Sequence, residues 1–342
     1  MSLPDPSDTG PKPDRAAHQQ TMPSKKAVLL FVKIFLAAAL ILWITHGVDL
    51  TRVLALIAQA SVPLLVLAFS LFFVGYLITA FRWRTLIRAQ GGDAPIGYLV
   101  QSFMVALFFN NFLPSTIGGD VVRMYDAWRL GNTRTGAVAV VIVDRFLGVT
   151  ALLTFALIAL TVDPVTADRI PRVSIWASLA IGGLALACWA TLVIPVDRVE
   201  RLATGQSGIA QTGLQLIAKL LASFQLYRQA RSAIGKAFGL SVLLQLNVVI
   251  HFALVAKALG IHVPMEAMFL VIPIAVFVMM VPLSINAIGV RETVFVFLLA
   301  AYGVSDVEAL AFAWTVYGFS LAQGILGGIL FAIRKESIAS LR

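Results

Sequence analysis

The chain has 342 residues, of which 59% are apolar and only 13% charged, with a mean hydropathy of +0.91. Soluble domains run nearer 45–50% apolar and about 25% charged, so a globule of this composition lacks the ionisable groups to solvate its surface. The net charge of +9 sits in basic clusters that flank apolar runs, which is the pattern of cytoplasmic loops in a multi-pass membrane protein and excludes a nucleic-acid-binding reading.

Residues 1–24, rich in Pro, Ser, Asp and Gln, are expected to form a disordered cytoplasmic tail, and 335–342 a second one. A single integral membrane domain is expected over 25–334. Apolar runs at 27–45, 62–80, 136–162, 173–194, 236–259 and 309–333 predict six full transmembrane helices. Basic residues after 80, around 129–134, over 195–237 and at 334–342 put those loops and both termini in the cytoplasm, with 163–171 and 303–308 outside. Within 205–232, Leu214, Ile217, Leu221 and Phe224 repeat at helical spacing and predict an amphipathic helix at the cytoplasmic interface or linking two halves.

Two further apolar segments are interrupted. Over 91–123 the chain carries Gly91 and Pro95, then Asn110, Asn111, Pro114, Gly118, Gly119, Asp120 and Arg123. Over 260–292 it carries Gly260 and Pro264, then Pro282, Asn286, Gly289, Arg291 and Glu292. In both, glycine precedes the first proline by four residues, the second proline is followed by a Ser/Thr-Ile pair, and Val-Arg ends the motif nine residues past it. The fold class is therefore all-α polytopic membrane protein, with about six full spans and two broken or re-entrant hairpins. The first hairpin starts from the cytoplasm and the second from outside, so the repeat is expected to be inverted, a pattern that points to a transport site near the bilayer midplane.

The chemistry such a site needs is present. Helices that end inside the bilayer expose N-termini that favour anions. Asparagine amides donate hydrogen bonds, and Arg123 and Arg291 match phosphate bidentately. Asp144 and Arg145 lie inside a span, where ionisable residues face the protein interior or reach its edge. Asn247 and His251, four apart, share a helix face suited to interhelical hydrogen bonds. The candidate substrate-binding set is thus Asn110, Asn111, Pro114, Gly118, Gly119, Asp120, Arg123, Asp144, Arg145, Asn247, His251, Pro282, Asn286, Gly289, Arg291 and Glu292. No nucleophile–base set, phosphate loop or metal-ligand spacing occurs around Cys188 or the four histidines, so no catalytic residue, metal or cofactor is expected.

The run from Asn110 to Arg123, the pair Asp144-Arg145 and the motif from Pro282 to Glu292 resemble the lysylphosphatidylglycerol synthase transmembrane, flippase-like family. The resemblance covers about residues 27–333. It implies a membrane region that translocates a phospholipid such as aminoacyl-phosphatidylglycerol, or a lipid-linked headgroup, across a bacterial inner membrane. It also implies a stand-alone member without the soluble synthase domain, since nine residues follow Ile333. Asn286-Ala287 and Gly148 stand where relatives often carry glycine and a second acid, respectively. The expected partners are lipids with anionic or phosphate headgroups, a separate lipid-modifying enzyme, and an oligomer of the chain itself. The alternatives are a membrane enzyme acting on a lipid headgroup and a non-transporting partner of a lipid-modifying or glycosyl transferase.

Overall fold

A computed structural model describes residues 25–112, 118–162, 175, 178–179, 182–183, 194–205, 207–281 and 283–333. The two expected tails, the loop at 163–171, most of the span expected at 173–194, and Pro114 and Pro282 lie outside these residues. The described chain is helical throughout. Its elements are α1 (Lys25–Thr45), α2 (Leu50–Ala58), α3 (Val62–Arg88), α4 (Ile96–Phe112), α5 (Gly118–Arg129), α6 (Arg134–Val162), α7 (Val196–Thr204), α8 (Gly208–Gln225), α9 (Arg231–Ala258), α10 (Met265–Met280), a single 3-10 turn (Ile285–Ala287), α11 (Val290–Ala300) and α12 (Asp306–Ile333).

Among the described residues four helices, α3, α6, α9 and α12, are long and apolar enough to cross a bilayer. At about 1.5 Å rise per residue each exceeds the roughly 30 Å hydrocarbon core. The first expected span is α1, which meets α2 at an 88° bend. Asp49 causes the restart: its carboxylate accepts the Thr51 and Arg52 amides at 3.0 and 3.3 Å and caps α2. The bases expected to end the second span at residue 80 lie on the same helix, because α3 continues to Arg88 and buries Arg82 on the way.

The two interrupted segments are built alike. A long helix, a short helix, a break, a shorter helix and a second long helix run 27, 17, 12 and 29 residues in the first half, and 28, 16, 11 and 28 in the second. The glycines before each first proline do the same work. Gly91 and Gly260 take φ of +86° and +72°, and end α3 and α9 in the left-handed conformation. The residue after each glycine then donates back five positions, Gly92 to the Ile87 carbonyl at 3.2 Å and Ile261 to the Ala256 carbonyl at 2.9 Å.

The halves are antiparallel. At one end of the α3–α9 pair the Ser61 amide donates to the Ala258 carbonyl at 2.8 Å; at the other, Arg82 Nη1 donates to Ser241 Oγ at 3.0 Å. As α3 runs forward, α9 runs back, and the repeat is inverted. The packing is exchanged accordingly: α4 lies on α12, and α10 lies on α6.

Each short helix is one limb of a re-entrant hairpin. In the first, α5 returns along α4, with the Tyr98 and Ser102 hydroxyls both donating to Asp126, the former at 3.2 Å. The hairpin leaves beside its entry, where Asn132 Nδ2 donates to the Ile87 carbonyl at 3.2 Å. Asp93 braces that entry by accepting from both Arg84 and Arg88 at 2.9 Å, and Arg88, then Arg84, hold its carboxyl below the usual range. In the second hairpin, Phe295, Leu298 and Leu299 of α11 share a core with Met268 to Ala275 of α10 and with Leu259, Ile261 and Val304.

The amphipathic segment is shorter than expected. Helix α8 buries Ala218 and Leu221 against Val196 and Val199 of α7, with Leu214 alongside. Its Phe224 stacks edge-on to Phe146 of α6. Ile217 is 45% exposed, since Ala218 holds the buried position beside it.

The α4–α12 contact relies on glycine, because a Cβ at Gly327 would run into the Met104 carbonyl. Gly327→Ala should destabilise the protein by roughly 1–3 kcal/mol. Gly318→Ala, with no heavy atom within 4 Å of its Cβ position, should be neutral or stabilising. Thermal unfolding in detergent measures both, and equal melting points would show that the two helices do not pack at Gly327.

Candidate functional site

Three helices converge on one carboxylate. Asp144 sits ten residues into α6 and is 1% exposed. Arg82 of α3 places Nε 2.6 Å from its Oδ1 and Nη2 3.1 Å from its Oδ2. Arg123 of α5 places Nη2 2.8 Å from the same Oδ2. All three side chains are at least nine-tenths buried. Arg82 Nη1 extends the link to Ser241 of α9. Two guanidinium groups share one carboxylate, and aromatic faces take up the surplus positive charge: Arg123 lies 4.8 Å from the Trp83 ring centroid and 5.7 Å from that of Phe103.

The adjacent residue points elsewhere, as neighbours on a helix must. Arg145 grips Asp120 bidentately at 2.7 and 2.9 Å, on the half-exposed side of the first hairpin. Asp120 and Arg123 therefore do not act together; each ties α5 to α6 through a different partner. At the start of α5, the Gly119 amide donates to Asn110 Oδ1 at 2.9 Å, and a Cβ at Gly119 would collide with the Ala106 carbonyl. Gly118 opens that helix beside it.

The hairpins meet. Asn286 Nδ2, from the second, donates to Asn111 Oδ1, from the first, at 3.0 Å across 175 residues of sequence. Ser320 of α12 donates to the same oxygen at 3.1 Å, and Asn111 Nδ2 donates to the Ser320 carbonyl at 2.8 Å. Asn286 and Ala287 have φ of 49° and 56°, a left-handed turn that places the Asn286 amide at this junction. Gly289 then turns into α11 at φ +82°, packed against α1, where a Cβ would lie 2.8 Å from Leu40 Cβ and 2.9 Å from the Ala37 carbonyl. The Gly289 amide donates to Glu292 at 2.7 Å. Arg291 Nη2 donates to the Asn286 carbonyl at 3.0 Å, and the guanidinium lies 4.8 Å from the Tyr317 ring centroid.

Asn247 and His251 are interhelical hydrogen-bonding residues, as their spacing predicts. Asn247 Nδ2 donates to the Leu71 carbonyl at 3.1 Å, and His251 Nδ1 to the Ala68 carbonyl at 2.8 Å. Both also line a mostly apolar cavity of about 240 Å³ between the halves, with Phe72, Tyr76, Phe103 and Gln323. Tyr76 donates to Gln323 across it. Among the described residues no three His, Cys, Asp or Glu side chains gather to hold a metal.

Sequence reasoning passes over Arg82, Trp83, Ser241, Tyr317, Ser320, Tyr76 and Gln323. A buried arginine is indistinguishable in sequence from a loop arginine two residues past a span. Gly148 has a structural meaning as well: its Cβ position lies 3.8 Å from Arg82 Nη1, so a second acid there would join the same cluster.

A family profile, that of the lysylphosphatidylglycerol synthase TM region, matches residues 30–328. Among curated proteins, the chain is 25% identical over 138 residues to the UPF0104 membrane protein PH1989 of Pyrococcus horikoshii, 40% of each chain. It is 27% identical over 136 residues to the UPF0104 membrane protein MJ1595 of Methanocaldococcus jannaschii, 39% of each. The aligned stretch thus spans about two fifths of these relatives' length.

Removing the shared carboxylate leaves two buried guanidinium groups unpaired. Asp144→Ala should destabilise the protein by roughly 3–5 kcal/mol. Breaking the half-exposed pair with Arg145→Gln should cost at most about 1 kcal/mol. Detergent-solubilised variants compared by thermal unfolding test this, and equal losses would remove Asp144 from its central place.

Proposed function

The chain belongs to the lysylphosphatidylglycerol synthase TM-region family, and from that premise we propose that it moves a phospholipid with a phosphate-bearing headgroup from one leaflet to the other. The observation that carries the reading is the junction of the two inverted re-entrant hairpins, Asn111 with Asn286, together with a cavity lined by helices of both halves. Inverted repeats with broken helices support alternating access, in which one half rocks against the other around a fixed midplane site. Here the polar groups for such a path are neutral. Tyr317, Ser320 and Gln323 follow one face of α12, and Tyr76 and Thr79 follow one face of α3. A headgroup held between these faces exchanges hydrogen bonds without breaking an ion pair, while the acyl chains stay in the bilayer.

Purified protein in vesicles should move fluorescent phosphatidylglycerol between leaflets faster than protein-free vesicles, read by quenching with an impermeant reductant. Asn111→Leu should slow this about tenfold, since it removes the hydrogen bonds that join the hairpins. Vesicles with wild-type protein that match empty ones would end the transport reading.

Orientation follows from charge. Arg88, Arg129, Arg134, Arg228 and Arg231 gather at the end of the molecule that holds Ile87, Leu130 and Tyr227, whereas Asp49, Glu266, Asp306 and Glu308 stand near the other. The basic end is assigned to the cytoplasm of a prokaryotic cell membrane. In a Cys188→Ser background, Ser305→Cys should react with an impermeant thiol reagent in intact cells and Arg88→Cys only after lysis. The reverse pattern would invert the assignment.

A further inference from the structure

The two motif arginines occupy equivalent places, each in the Val-Arg pair nine residues past its proline, yet their surroundings differ. Arg123 meets the Asp144 carboxylate at 2.8 Å. Arg291 meets Tyr317 on α12, the partner helix that corresponds to α6, and among the described residues no carboxylate oxygen lies within 4 Å of it. The acid beside it in sequence, Glu292, is turned to the Gly289 amide.

Arg291 is 6% exposed, and its Nη1 has no hydrogen-bond partner among the described residues. Its other terminal nitrogen donates to the Asn286 carbonyl, so the guanidinium is folded back over the turn that precedes α11. The same turn buries a second unpartnered group, the Ser284 hydroxyl, at 2% exposure. Buried donors are almost always paired, and a cationic one left without a partner is the most expensive to keep. Arg291 is the second residue of α11, an eleven-residue helix whose N-terminal dipole favours negative charge, and Ser284 lies in the turn that leads into it.

We propose that the turn from Ser284 to Arg291 is a phosphate-binding site, in which Arg291 Nη1 and the Ser284 hydroxyl grip the phosphate oxygens at the head of α11. The Tyr317 ring holds the guanidinium plane without neutralising it. The first hairpin, whose arginine is committed to Asp144, is the structural half of the pair. Only the identity of the phosphate as a lipid headgroup rests on the transport reading; the binding itself stands without it.

Calorimetry on the full chain in dodecyl maltoside, a phosphate-free detergent, tests this with three probes: dihexanoyl phosphatidylglycerol, inorganic phosphate and dihexanoylglycerol. The phosphate-bearing probes should bind and dihexanoylglycerol should not. Arg291→Gln should weaken binding about tenfold or more, because it removes a charge-assisted donor. Ser284→Ala, small enough to leave the turn intact, should weaken it about threefold. Arg52→Gln, on the exposed face of α2, should leave it unchanged. Binding of phosphatidylglycerol alone assigns the site to a lipid headgroup; binding of inorganic phosphate as well shows that the phosphate suffices. The proposal is overturned if Ser284→Ala and Arg291→Gln, each eluting as wild type on gel filtration, bind with wild-type affinity, or if dihexanoylglycerol binds as well as the phospholipid. Binding that depends on Arg291 without lipid movement in vesicles would overturn the transport reading and leave this site standing.

Discussion

The buried carboxylate of Asp144 is the constraint around which the first half is arranged. Charges taken out of water in an apolar interior are tolerated only with close, well-aligned partners. One acid on α6 holds an arginine from α3 and another from α5, and the α3 arginine reaches on to Ser241 of α9. A re-entrant limb such as α5, twelve residues long, has too little apolar surface to fix its own depth. Ion pairing to a full span supplies that depth, and the Asp120–Arg145 pair one turn toward its start sets its rotation.

The second hairpin reaches the same outline by different means. Where α5 is tied by charge, α11 is tied by close packing: Gly289 lets α1 approach, and Phe295, Leu298 and Leu299 enter the largest apolar core. The position that would take a carboxylate is filled from α12 by Tyr317, whose ring face attracts a cation without cancelling it. Inverted symmetry thus fixes the backbone, and the side chains break it. Two copies of one scaffold carry a neutralised arginine in one half and an unneutralised one in the other.

Much of the scaffold is legible in sequence because its signals are local. Composition alone requires the membrane. Gly91 with Pro95, and Gly260 with Pro264, announce two matching helix ends, and both glycines do adopt the left-handed conformation that the pattern demands. The partners are not legible, because they are distant. Asp144 is 62 residues from Arg82, and Asn111 is 175 from Asn286. Arg82 was hidden for a further reason: a rule that counts bases past an apolar run has no information on depth, and α3 carries its arginine below the surface for nearly two more turns. The α8 stripe misleads more mildly, since a hydrophobicity reading ranks Ile217 over Ala218, whereas close helix packing selects the small residue.

The division between ion pairs and amides follows from what each contact must withstand. A buried ion pair cannot separate without leaving a charge unpaired, at a cost of several kcal/mol, so it suits elements that must keep one arrangement. A neutral hydrogen bond contributes only about 1 kcal/mol net and is readily exchanged for another. Arg82, Arg123 and Asp144 supply links of the former kind within the first half. The links between the hairpins, through Asn111, Asn286 and Ser320, are all of the latter kind. Charge thus fixes the first half in one arrangement, and exchangeable amide and hydroxyl hydrogen bonds join the two hairpins.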